Sequence, residues 1–352
     1  MGRYRLSPTR STGCGRRADG PPDPANLEVG SYDHRVAMSS SPIRLPRLSP
    51  AAYRRITFVV ALLLAVVIVT GGAVRLTGSG LGCPDWPTCD PGHLTPRNAS
   101  DLNAMVEFLN RVFTGLVSLA VALAVVGSWL RIPRRRDLTW LSVGLIVGFV
   151  AQAVLGGLTV LYKLEPQFVM AHFLLSLVLL TNGLLLHRRA GQPAGARHLR
   201  VAPVVRYAAA ALLVSITTVV VAGTVVTGSG PHAGDAHVKR FPFLIPQVAK
   251  VHGSLVIVFL ALVLLTFWLL HRTRAPREDQ LRLGLVLIVA CAQTAIGYIQ
   301  YFNGIPALLV GFHIAGATAL FAAVVHFWLH LSERDPVPRA EPAPADVALS
   351  PA

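Results

Sequence analysis

Charge is what this sequence has least of. Only 14% of its 352 residues are Asp, Glu, Lys or Arg, against roughly 25% in an ordinary soluble domain. Acidic groups are the scarcer sign, 17 against 32 Lys and Arg, which leaves a net charge of +15. That excess does not make the chain a nucleic-acid binder, because the bases gather at the tips of long apolar runs, where they anchor helices at a membrane face. Residues 56–76, 105–130, 139–161, 167–186, 204–227, 246–270, 281–302 and 306–331 are each apolar and at least about 20 residues long, enough to cross a bilayer. A soluble enzyme, a secreted disulfide scaffold and a β-barrel are thereby excluded. The expected fold is all-α and integral to the membrane, with eight transmembrane helices.

With eight spans both termini fall on one side. The segments on that side (1–55, 131–138, 187–206, 271–282 and the tail after 331) hold 25 of the 32 Lys and Arg, so both termini are expected to be cytoplasmic. Residues 1–50, rich in Arg, Pro, Ser and Gly, read as a disordered tail; no apolar core follows the early arginines closely, so they do not read as a cleavable signal peptide. Residues 335–352 read as a second tail. Between them lie an N-terminal four-helix bundle at 51–190 and a C-terminal one at 204–331. Of the four cysteines, Cys14 in the first tail and Cys291 in the seventh span read as free thiols. Cys83 and Cys89 share the first external loop, where a disulfide can persist. A loop-closing bond and a redox-active pair both fit them. No C-x-x-C-H is present, so covalent heme attachment has no support.

The halves repeat one another. AQAVLGGLTV begins at Ala151 and AQTAIGYIQY at Ala292, so Gln152 matches Gln293 and Gly156 matches Gly297. His172 and His313 share that offset, TGSG occurs at 77–80 and 227–230, and aligning the second helices sets Asn110 opposite His252. Four spans repeated in one orientation predict a parallel repeat about an axis along the membrane normal, as two pseudo-symmetric four-helix bundles.

Chemistry is sought among groups that a membrane interior tolerates poorly. Of the 12 histidines, His34, His93, His198, His232 and His237 fall in tails or loops, and His187, His271, His326 and His330 near cytoplasmic helix ends. His172, His252 and His313 lie inside spans, at one depth near the external side. His252 and His313 belong to the second and fourth helices of one bundle and can grip a heme iron from both sides, a b-type site suited to electron transfer. In the other bundle the partner expected for His172 is Asn110, on a helix whose Glu107, Asn110, Arg111, Thr114 and Ser118 share one polar face. Glu107 and Arg111 either neutralise each other or present a carboxylate that accepts a proton. Arg75 can meet a heme propionate or a lipid phosphate. Gly71, Gly72, Gly144, Gly148 and Gly156 are read as permitting close helix approach. Gln152 and Gln293 are read as interhelical hydrogen bonders or as pocket lining.

GCPDWPTC (82–89), VEFLNR (106–111), MAHF (170–173), KVHG (250–253) and GFHIAG (311–316) together resemble the heme A synthase family over about residues 56–331. The resemblance implies paired four-helix bundles and a multi-pass place in the bacterial cell membrane. It implies oxidation of the C8 methyl of heme O to a formyl group, through two hydroxylations and loss of water, giving heme A for terminal oxidases. His252 and His313 correspond to the axial ligands of a heme b, His172 to a ligand of the substrate heme, Glu107 to a catalytic carboxylate, and Cys83 and Cys89 to the external cysteine pair. Implied partners are lipid, heme O and heme A, with heme O synthase and terminal oxidase assembly factors beside them; a homo-oligomer is compatible.

Two departures stand out. The family's E-x-x-H-R is here Glu107-Phe108-Leu109-Asn110-Arg111, so the substrate heme is left with His172 alone, or with Asn110 acting through water. The loop GSGPHAGDAHVKRF lacks a cysteine pair, and its His232, Asp235, His237, Lys239 and Arg240 form a solvated cap or touch propionates. Two other classes were weighed. A diheme b-type electron-transfer protein predicts four intramembrane histidines, whereas this chain has three; a transporter using His172 and Glu107 as a proton relay needs no heme.

Overall fold

Long apolar runs become long helices because lipid offers the backbone no hydrogen-bond partner outside the helix itself. The computed structural model describes residues 47–336; most of the expected tails at 1–50 and 335–352, with Cys14 and His34, lies outside them. Eight helices follow one another: α1 (Pro50–Leu76), α2 (Leu102–Leu130), α3 (Arg136–Leu161), α4 (Pro166–Ala190), α5 (Pro203–Ser229), α6 (Ile245–Arg272), α7 (Arg277–Phe302) and α8 (Ala307–His330). All eight are long and apolar enough to cross a membrane. Their starts carry helix-opening chemistry. Ser49 Oγ accepts the Ala52 N–H at 3.2 Å, Asp101 accepts those of Asn103 and Ala104, and α1, α4, α5 and α6 have Pro in the first two positions, where a missing N–H costs no bond.

Several helices outrun the apolar stretches that announced them. α4 continues past 186 to Ala190, α6 past 270 to Arg272, and α7 begins at Arg277 instead of 281. Hydropathy marks where a helix leaves hydrocarbon, while the backbone ladder continues into the charged interface. Two short segments, one within 187–206 and one just after 331, pair as an antiparallel ribbon. In it β1 (Arg197–Leu199) meets β2 (Ser332–Arg334), with Arg197 opposite Arg334 and Leu199 opposite Ser332. Backbone bonds also tie residues at both ends of the described range. Leu48 donates to Leu130 O at 2.9 Å, and Asp335 exchanges backbone bonds with Gly195 and Ala196, each 3.0 Å.

Helix α1 packs on α2 and α4, and α3 on α4 and α2; separately, α5 packs on α6 and α8, and α7 on α8 and α6. The two groups of four meet along α1 with α8, α4 with α8, and α4 with α5. Val60, Leu64, Leu180, Leu212, Phe259, Leu283 and Val324 lie in one continuous buried core. Buried Tyr53 spends its hydroxyl on Ser142 Oγ at 2.9 Å. Phe58, Leu119, Trp140, Val150, Ile257 and Ile288 point outward and are exposed, an apolar exterior that suits lipid and would aggregate in water.

Candidate functional site

The three intramembrane histidines sit six or seven residues inside α4, α6 and α8, about 10 Å from each helix start at 1.5 Å per residue. They therefore share a depth, near the end that carries the loop with Cys83 and Cys89.

His252 and His313 come together. Their ring centroids are 6.3 Å apart with planes at 73°. A metal between two imidazoles, with each nitrogen about 2 Å from it and roughly 1 Å from its own ring centre, separates the centroids by about 6 Å. His252 Nδ1 lies 3.1 Å from Val219 O; a carbonyl only accepts, so Nδ1 carries the proton and Nε2 keeps its lone pair. This is how a ligating histidine is oriented from behind. His313 Nδ1 is buried with no hydrogen-bond partner, while its backbone carbonyl accepts from Gln293 Nε2. Both rings lie against glycines of neighbouring helices. A Cβ on Gly297 would stand 3.1 Å from His313 Cε1, and one on Gly223 would stand 3.2 Å from His252 Cε1. The residues present thus fit a group gripped from both sides.

The first bundle repeats half of this. His172 lies against Gly156, where an added Cβ would be 3.2 Å from Cε1. Gln152 Nε2 donates to His172 O at 3.0 Å and to Ser176 Oγ at 2.6 Å. His172 Nδ1 and Asn110 Oδ1 are both buried without a partner. Gln152 and Gln293 are therefore interhelical hydrogen bonders, each tying its helix to the backbone of the histidine, and their Oε1 atoms stay unpartnered. Gly72, Gly144 and Gly148 meet Ile314, Asn182 and Leu179, as close approach requires. Gly71 corrects that expectation, since nothing lies within 4 Å of a Cβ placed there. Gly156 does more than admit a helix: it seats the histidine.

Glu107 and Arg111 pair, and they also hold the loop. Arg111 Nη2 is 2.6 Å from Glu107 Oε1, and the guanidinium donates to the carbonyls of Cys83 (3.1 Å), Asp85 (3.1 Å) and Thr88 (2.8 Å). Glu107, 6% exposed, accepts the Cys83 N–H on Oε2 at 2.8 Å. Cys83 and Cys89 are disulfide-bonded within that grip. Gly82 presses on the start of α2 so closely that a Cβ would overlap the Asn103 backbone, and the Trp86 ring covers Gly157, the neighbour of Gly156. Asp85 accepts from Thr88 Oγ1 and the Trp86 N–H, and these bonds hold its carboxyl below the usual range. In the sequence Cys83 and Cys89 bracket Trp86 as a short cap over the external end of the first half; its contact with Gly157 depends on packing that the sequence does not show.

The remaining candidates stitch the external ends together. Arg75 Nε donates to His232 O at 2.7 Å and Nη2 to Thr227 O at 3.0 Å, so its partners are backbone carbonyls of the second half. His232 Nε2 donates to Ile305 O at 2.7 Å. Gly80 donates to the carbonyl of Gly234, whose φ of +103° only glycine holds easily. Asp235 caps the His237 N–H, Lys239 pairs with Glu165 at 2.6 Å and Arg240 donates to Pro231 O. Cys291 is a free, exposed thiol.

Residues 54–244 match the family of cytochrome oxidase assembly proteins, COX15-CtaA. A protein named heme A synthase from Listeria welshimeri is 24% identical over 293 residues, covering 79% of this chain and 95% of that one. Shorter matches of the same name come from Bacillus mycoides, 33% over 124 residues (35% of this chain, 39% of that one), and Lysinibacillus sphaericus, 32% over 125 residues (35% and 40%).

Proposed function

The chain belongs to the cytochrome oxidase assembly protein family, and on that premise we propose that it is a heme A synthase, a multi-pass bacterial membrane oxidoreductase that converts heme O to heme A. The observation that carries this reading is the unequal pair of histidine sites: two facing imidazoles in one bundle, one histidine with unpartnered polar neighbours in the other. His252 and His313 would hold a resident heme b, which when bound would supply one-electron redox chemistry. His172 is the protein ligand of the substrate, heme O, and Asn110 faces that substrate with an amide that binds iron weakly and water well. The duplicated Gln–His and Gly–His contacts support two pseudo-symmetric bundles. The arginine-rich ends support cytoplasmic termini. Three buried histidines instead of four weigh against a diheme electron carrier.

In this reading Glu107 accepts a proton as the substrate methyl is oxidised. Its two oxygens accept from Arg111 and from the Cys83 N–H, which fixes where the carboxylate stands. Arg111, with the disulfide, holds the loop between α1 and α2 against Glu107. The pathway implied places a heme O synthase before this enzyme and terminal oxidase assembly after it.

The purified protein should yield heme b together with heme O or heme A on extraction. Heme b alone, or no heme, would overturn the assignment. Glu107→Gln should keep heme b while conversion falls by about 100-fold or more, the range of a lost general base; undiminished conversion would remove the carboxylate from the chemistry.

A further inference from the structure

At the opposite helix ends from both histidine sites, the arginine-rich end of α4, the end of α8 and the β1–β2 ribbon border a cavity of about 100 Å³. That is several times the roughly 30 Å³ of a water molecule in the liquid. Arg188, Arg189, Arg197 and Arg334 line it, with Glu333 as the one carboxylate. The nearby acids are already engaged. Asp137 pairs with Arg135 at 2.7 Å and more loosely with Arg189 and Arg334, and Glu333 pairs with Arg200 at 3.0 Å. Among the described residues Arg188 and Arg197 have no carboxylate partner. Arg197 Nε reaches only Ser332 Oγ at 2.9 Å, and Arg188 Nη2 only Ser332 O at 3.4 Å.

Two donors in the lining are buried with nothing to bond: Arg188 Nε and Trp328 Nε1. Leaving such groups unpaired is costly, and both belong to side chains held in place. Arg206 stacks 3.7 Å over the Trp328 ring and donates to Trp328 O at 2.7 Å. Leu185 and Leu329 make the cavity's apolar part. A roomy, net-positive cavity edged by four arginines, with two lining residues that keep an unpaired N–H, calls for an anion with several acceptor oxygens. Arginine answers phosphate in that way, and basic pockets between membrane helices at their charged ends take phospholipid head groups.

We propose that this cavity is a binding site for a phosphate group, held by Arg188, Arg197 and the Trp328 N–H. An anionic phospholipid and soluble phosphate are the two sources of that chemistry. The test uses the full-length, heme-loaded protein in nonionic detergent, delipidated and titrated with short-chain phosphatidylglycerol, short-chain phosphatidylcholine and inorganic phosphate. Saturable binding is expected, weakened about tenfold or more by Arg188→Gln together with Arg197→Gln, and several-fold by Trp328→Phe, which keeps the ring and removes one donor. The heme spectrum should stay unchanged in each and report that the fold is intact. Binding of phosphatidylglycerol alone assigns the site to lipid; equal binding of inorganic phosphate, with the same losses in the variants, assigns it to soluble phosphate. No saturable binding of either, or full affinity in both variants, overturns the proposal.

Discussion

His252 owes its usefulness to a bond on its far side. With Nδ1 bonded to Val219 O, the ring has one tautomer, with Nε2 left unprotonated, and its centroid lies 6.3 Å from that of His313. Such support from behind is worth about 10- to 100-fold in ligand affinity. The glycines at 223 and 297 set how near the rings can come, because side chains there would meet Cε1 at 3.2 and 3.1 Å. Gly297→Val is therefore expected to lower bound heme b by more than half. Gly284→Val on the same helix, where nothing lies within 4 Å, should leave it unchanged. Absorbance per protein after purification measures both, and equal heme content in the two variants would separate the glycine from the site. The residues that carry this site were visible as letters: three histidines at one depth, and Gln and Gly repeated 141 positions apart. The carbonyl of Val219 was not, since any residue supplies a carbonyl and only the packing of α5 on α6 selects this one.

At the scale of elements, the loop between α1 and α2 has two fasteners of different kinds. The disulfide joins residues six apart; closing so short a loop stabilises by about 2 kcal/mol on the chain-entropy account. The other fastener is Arg111, with three loop carbonyls and Glu107 around one guanidinium. Removing one partner of a largely buried pair costs about 3 kcal/mol or more, because the other charge stays behind. The arginine should matter more than the covalent bond. Cys83→Ser with Cys89→Ser is expected to lower the midpoint of heat-induced heme loss modestly, and Arg111→Ala to lower it further; the reverse order would show that the disulfide is the main brace. The i, i+4 spacing announced the Glu107–Arg111 pair, and apolar length announced all eight helices. What lay beyond the sequence were the Arg111 bonds to loop backbone and the β1–β2 ribbon, whose RHL and SER segments are too short and too polar to show a strand period.

Across the whole molecule, the proposed reading puts the substrate in one bundle and the redox group in the other, so it requires their external ends to keep a fixed distance and orientation. Two of the side-chain links that span that end are of unlike worth. Lys239 and Glu165 form a 2.6 Å ion pair with the lysine side chain 78% exposed, and an exposed pair contributes little. Arg75, rooted in α1, donates to two carbonyls of the second half, Thr227 O and His232 O. His232 in turn reaches Ile305 O ahead of α8, the helix that bears His313. This chain of bonds runs from the first bundle to the neighbourhood of the second bundle's histidine, and small misplacements of reacting groups cost up to about 100-fold in rate. Lys239→Ala should thus leave conversion of heme O within about twofold of the parent. Arg75→Gln, too short to reach both carbonyls, should cut conversion about tenfold or more while heme b binding persists. Assaying both variants for heme A formed per heme b present isolates the effect on alignment from any loss of cofactor. If Arg75→Gln converts normally, the apolar seam of α1 and α4 against α8 is sufficient to align the bundles, and the polar stitching merely closes the end of the molecule.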